Sequence, residues 1–169
     1  MDKYLANLVI VGFLLAFTAC GYQVVAEAPI DMPGGISKLY LEGVENPTTE
    51  IWLDAELRKE VREEFIRRGQ VKWVNKPEAM GYLNIEVLRF TSSAKLENAE
   101  EQTVRSEVVL ILRGRIIGAQ KSDLLWDSGE ITVRESHVGG EGSGEEREAQ
   151  KQAVEEIVEE LADTLSRDF

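Results

Sequence analysis

The apolar positions of this chain change rhythm along its length. From Leu5 to Ala19 they are almost continuous, and near Lys38 they begin to alternate with polar residues. In Lys38-Leu39-Tyr40-Leu41-Glu42-Gly43-Val44 this alternation predicts a half-buried strand. Asn46-Pro47-Thr48-Thr49 breaks it and offers hydroxyls for a helix start. Leu53, Leu57, Val61 and Phe65 then recur every fourth residue, with Glu56, Lys59, Glu60, Glu63 and Arg67 on the other faces. That spacing predicts an amphipathic helix. Arg67 and Arg68 complement its dipole, and Gly69 is the natural stop.

Strand rhythm returns after the helix. Val71 to Val74 is a short candidate, and Tyr82 to Phe90 sets Leu83, Ile85 and Val87 against Asn84, Glu86 and Arg89. A polar stretch from Thr91 to Gln102 leads into a long strand from Thr103 to Ile117, a layout that predicts a hairpin with a large tip. The run Val109-Leu110-Ile111-Leu112 predicts that this strand is covered on both faces at its centre. Asp123 to Glu135 reads as a final strand kinked at Gly129, and Gly139 to Gly144 as a loop. Ala149, Ala153, Ile157, Leu161 and Leu165, joined by Val154, Val158 and Ala162, define a second amphipathic helix. Two helices flanking a block of strands are best satisfied by lying together on one face of a single sheet. The expected class is α+β, a mostly antiparallel or mixed sheet of four to five strands in the order β-α-β-β-β-α, forming one domain over residues 38–169.

The opening apolar run has another use. It covers about 15 residues and includes Asn7, whereas a bilayer span takes roughly 20 predominantly apolar residues. With Lys3 before it and the small residues Thr18-Ala19 at its end, the run reads as a signal peptide over residues 1–19. Cys20 follows directly, and the site resembles the lipobox of bacterial lipoproteins, with Phe17 where leucine is commonest. The resemblance implies a lipidated Cys20 as the first mature residue, and several acyl chains acting together hold a protein on a bilayer. Gly21 in place of aspartate implies sorting to the outer membrane. Residues 20–37, with Pro29, Pro33, Gly34 and Gly35, read as a tether.

Charge narrows the possible partners. The chain holds 31 acidic and 19 basic side chains, a net charge of −12, which argues against nucleic acid as a partner. With Cys20 the only cysteine, no disulfide is available and packing must hold the fold. His137, the only histidine, reads as an exposed loop residue, and the glutamates around Glu145 and Glu155 read as the solvated face of the last helix. No residue set has zinc-ligand spacing or the form of a phosphate cradle, so neither catalytic residues nor metal or other cofactors are expected. The basic residues carry more information. Arg89, Lys95 and Arg105 flank the predicted hairpin tip, with Arg113 and Arg115 farther along, a local excess suited to a phosphorylated or carboxylated ligand.

Taken together, Cys20-Gly21-Tyr22, the strand Leu39-Tyr40-Leu41 running into Val44-Glu45-Asn46 and Thr48, and the helix from Leu57 to Phe65-Ile66-Arg67-Arg68-Gly69 resemble the LptE family of lipopolysaccharide-assembly lipoproteins. The middle hairpin and the C-terminal helix extend the resemblance over nearly all of the mature chain. It implies a non-enzymatic protein on the periplasmic side of the outer membrane that plugs the β-barrel LptD, helps it assemble and binds lipopolysaccharide. Because the protein is acidic, such binding would have to be local, and Arg89, Lys95 and Arg105 are its candidate residues. The alternative is a lipoprotein regulator that activates a periplasmic cell-wall synthase. Such regulators use a longer tether; here about 17 residues separate Cys20 from the first strand, reaching at most roughly 60 Å.

Overall fold

The fourfold apolar spacing from Leu53 to Phe65 does form a helix, and it positions everything that follows. A computed structural model describes residues 32–69, 71–95, 105–138 and 144–169, with residues 93–95 and 105 described by their backbone alone. Its elements are β1 (Lys38–Glu45), α1 (Ile51–Arg68), β2 (Lys72–Trp73), β3 (Gly81–Lys95), β4 (Arg105–Gly118), β5 (Leu124–Asp127), β6 (Ile131–Val138) and α2 (Gly144–Asp168). The predicted signal segment, Cys20, residues 21–31, the hairpin tip at 96–104 and the glycine loop at 139–143 lie outside the described residues. A turn at Pro33–Gly35 leads to Ile36, already buried before β1 begins. Among the described residues, no helix is long and apolar enough to cross a membrane.

The strands form one mixed sheet in the order β2-β1-β3-β4-β5, with β6 also paired to β4. β1 runs parallel to β2 and β3, while β3, β5 and β6 are each antiparallel to β4. This is the expected α+β layout with both helices on one face. Leu53, Leu57, Val61 and Phe65 of α1 join Ala153, Ile157, Leu161 and Leu165 of α2 over Leu83, Ile85, Leu110 and Leu112, all fully buried in one core. At Gly114 α2 approaches the sheet so closely that a Cβ would lie 2.6 Å from Leu161 Cδ1, which is the packing reason for a glycine inside β4.

Several details depart from the sequence expectation. The sheet has six strands because the segment 123–135 is two, β5 and β6, both borne by the long β4. Between them Gly129 has φ +67°, and its N–H donates to Asp127 Oδ1 at 2.8 Å, a tight turn rather than a bulge within one strand. β3 runs through the polar stretch to Lys95, since the ladder with β4 continues from Thr91↔Val109 to Lys95↔Arg105 whatever the side chains are. The central run of β4 is covered on one side only: Leu110 and Leu112 are buried under the helices, whereas Val109 and Ile111 are half-buried between neighbouring strands. Thr48 does not cap α1 with its side chain; Asn46 Oδ1 accepts from the Thr48 N–H at 3.1 Å and closes the turn before the helix.

Candidate functional site

The face of the sheet turned away from the helices carries Arg89, Arg113, Arg115 and Arg134. In β6, Ile131, Val133 and His137 face the core, and Thr132, Arg134, Ser136 and Val138 are exposed on the other side. The register aligns Arg89 of β3, Ile111 of β4 and Thr132 of β6 in one row, and Thr91, Val109 and Arg134 in the next. Arg89 and Arg134 therefore stand on either side of a half-buried apolar strip, Val109 and Ile111. Both are exposed, and among the described residues neither has an ion-pair partner. This arrangement can receive an anion that also carries an apolar part, with guanidiniums for phosphate or carboxylate oxygens and a strip for hydrocarbon.

The sequence candidates separate along this surface. Lys95 and Arg105 are brought together as directly paired residues at the described end of the β3–β4 ladder. Arg89 is not with them; it lies six residues back along β3, roughly 20 Å away. Arg113 and Arg115 are engaged in ion pairs at the other end, Arg115 with Glu86 at 2.7 Å and Arg113 with Asp127 at 3.7 Å and Glu130 at 3.6 Å. Arg134 was missed by the sequence reading, although the alternation of Ile131 and Val133 carried the signal: it sends residue 134 to the open face.

Two acidic or titratable residues sit where the sequence did not put them. His137 is a strand residue only 8% exposed, because the β6 ladder continues to Val138 and turns it under α2; among the described residues neither ring nitrogen has a hydrogen-bond partner. Glu146, expected in the solvated outer row, is 5% exposed, and its carboxylate accepts from Ser92 Oγ and from Gln150 Nε2. Elsewhere the acidic residues serve the fold. Arg68, at the end of α1, bonds Glu64 and reaches across to Asp163 of α2. Burial opposes its charge, but the hydrogen bonds it donates to Asp163 and Glu64 outweigh that and hold the guanidinium above its ordinary pKa. On the other side of α2 the Glu156 carboxyl is pushed up, first by a hydrogen bond with Glu135 and then by burial. Among the described residues, no group of three or more His, Cys, Asp or Glu could hold a metal ion.

Solved structures share this fold at low identity. Uncharacterized lipoprotein B from Nitrosomonas europaea is 15% identical, covering 88% of this chain and 92% of its own, at a TM-score of 0.58. A protein from Xanthomonas campestris is 14% identical over 83% of this chain and 90% of its own, at 0.53. A homologue of the neuraminyllactose-binding hemagglutinin from Helicobacter pylori is 14% identical over 88% and 91%, at 0.54. At such identities the likeness concerns the fold alone, and no curated protein matches the sequence. The family model for LptE, described as lipopolysaccharide-assembly, matches residues 36–169, from the buried Ile36 to the last residue. The chain therefore belongs to the LptE family of lipopolysaccharide-assembly proteins.

Proposed function

We propose that this protein, held at the outer membrane by lipid on Cys20 with its domain on the periplasmic side, plugs and helps assemble an LptD β-barrel and helps deliver lipopolysaccharide to the outer leaflet. Family membership carries the general role in lipopolysaccharide assembly. The observation that supports the finer reading is the uncovered sheet face, where Arg89 and Arg134, without an ion-pair partner among the described residues, flank Val109 and Ile111 while Lys95 and Arg105 close the described end of the hairpin. Lipopolysaccharide offers the matching chemistry, phosphates for the cations and acyl chains for the strip. In a protein of net charge −12 the attraction is local, so these positions bear most of it.

Two arms test the reading. Affinity purification of the lipidated protein from detergent-solubilised outer membrane is expected to co-elute a large β-barrel protein; its absence overturns the partner. Replacing Arg89, Lys95, Arg105 and Arg134 together by glutamine is expected to weaken lipopolysaccharide binding by at least about tenfold with unfolding unchanged. Undiminished binding moves the ligand to another surface.

A further inference from the structure

β6 has a second edge, and its surroundings point to an occupant. On one side the strand is paired to β4 without a register shift from Leu112↔Ile131 to Arg105↔Val138. On the other side no described strand pairs with it. Unpaired edges invite other chains, so proteins shorten, bulge or cover them. The opposite edge of this sheet follows that rule, with β2 only two residues long and an irregularity in β1 between Leu41 and Gly43. β6 does not. Its eight residues contain no proline, glycine or bulge, and they present roughly 25 Å of edge.

Along the first half of that edge runs an open groove of about 390 Å³ between β6 and α2, lined by Ile131, Thr132, Val133, Glu156, Glu160 and Arg167. The wall is acidic. α2 carries nine acidic residues and three basic ones over Gly144–Asp168, and Arg167 is already committed to Glu160 at 2.9 Å. Glu135, on the core side of β6, shares a hydrogen bond with Glu156, so two carboxylates meet beside the groove without a cation between them. On the other side of β6 Arg134 is exposed at mid-strand.

We propose that the free edge of β6 and the acidic groove beneath α2 form a docking site for an extended segment of another protein, added to the sheet as a further strand, with basic side chains at the alternate positions that face Glu156 and Glu160. Backbone hydrogen bonds would give such a segment its register, and the carboxylates would select its charge. A second copy of this chain fits poorly, because pairing β6 with β6 would bring two acidic α2 helices side by side. The acidic wall is separate from the cationic face, since Ile131 and Val133 point toward α2 and its Glu156, whereas Arg134 is exposed on the opposite face; Thr132 borders both.

The test uses the full lipidated protein in detergent micelles and a synthetic peptide alternating lysine and threonine over about seven residues, a strand's usual length. Hydrogen exchange is expected to slow for amides of Ile131–Val138 and to stay unchanged in β1. An otherwise identical peptide N-methylated at alternate residues, which cannot extend the ladder, is expected to give no protection, and Glu156→Gln with Glu160→Gln is expected to weaken the lysine peptide about tenfold. Equal protection by the N-methylated peptide would reduce the effect to charge attraction and overturn the proposal. So would the absence of protection in β6 at saturating peptide. Protection that appears without peptide and rises with protein concentration would make a second copy the occupant and overturn it as well.

Discussion

Leu110 and Ile111 are adjacent isomers on one strand, yet they belong to different parts of the molecule. Leu110 is fully buried beneath the two helices, while Ile111 lies half-buried between Arg89 and Thr132 on the face the helices leave open. One face of the sheet is committed to holding the fold together. The other keeps apolar surface partly in water beside guanidiniums that have no ion-pair partner among the described residues, a costly arrangement for an isolated domain and a useful one for a protein that meets a ligand or partner there. Removing the same kind of side chain from the two positions separates these roles. Leu110→Ala is expected to cost about 2–5 kcal/mol of stability by urea unfolding, through lost burial and a cavity. Ile111→Ala is expected to cost roughly 1 kcal/mol, because part of its side chain is already solvated, and to weaken lipopolysaccharide binding. Equal stability losses would erase the distinction between the faces.

The covered side also holds the most expensive charges. Glu64 and Arg68 are both nearly excluded from water, and Arg68 ties the end of α1 to Asp163 of α2. Arg68→Ala is expected to destabilise by roughly 2 kcal/mol, below the ~3–5 kcal/mol of a fully broken buried pair. The reason for the smaller figure is that Arg67 remains bonded to Glu64. Arg134→Ala, on the open face, is expected to leave the unfolding midpoint unchanged. A large loss there would mean that the open face is structural after all.

The sequence made the covered face far more legible than the open one. Apolar spacing located both helices and most of the sheet, because burial under a helix demands a repeating pattern over several turns. The division of residues 123–135 into β5 and β6 was hidden, since one long strand can carry two short partners end to end and no local pattern records that. His137 was misread for a related reason: its glycine-rich neighbours suggested a loop, but pairing with Ser106 carries the strand past it. Of the candidate site, Lys95 and Arg105 could be paired from the hairpin alone. The distance to Arg89 and the part played by Arg134 depend on register, which alternation constrains only to one face or the other.

The smallest expected change in stability, as distinct from none, lies where the two regions meet, at the contact between β6 and α2. The Glu156 carboxyl is raised above its ordinary value by its hydrogen bond with Glu135, so the folded protein retains a proton that the unfolded chain releases. The stability that this proton contributes is complete below the ordinary carboxyl range, about 4.5, and is lost as the pH rises through the raised value. Glu156→Gln keeps a hydrogen-bond donor and removes the charge. It is expected to leave stability unchanged near pH 4 and to raise it by up to about 1 kcal/mol at pH 7.5, the scale of a partly exposed charge interaction. Unfolding midpoints at the two pH values decide it. A gain of the same size at both would mean that the amide packs better than the acid and that Glu135 and Glu156 share no proton. A gain confined to neutral pH would identify a pair of carboxylates that the fold tolerates at its own expense, beside a groove that a cationic segment would relieve.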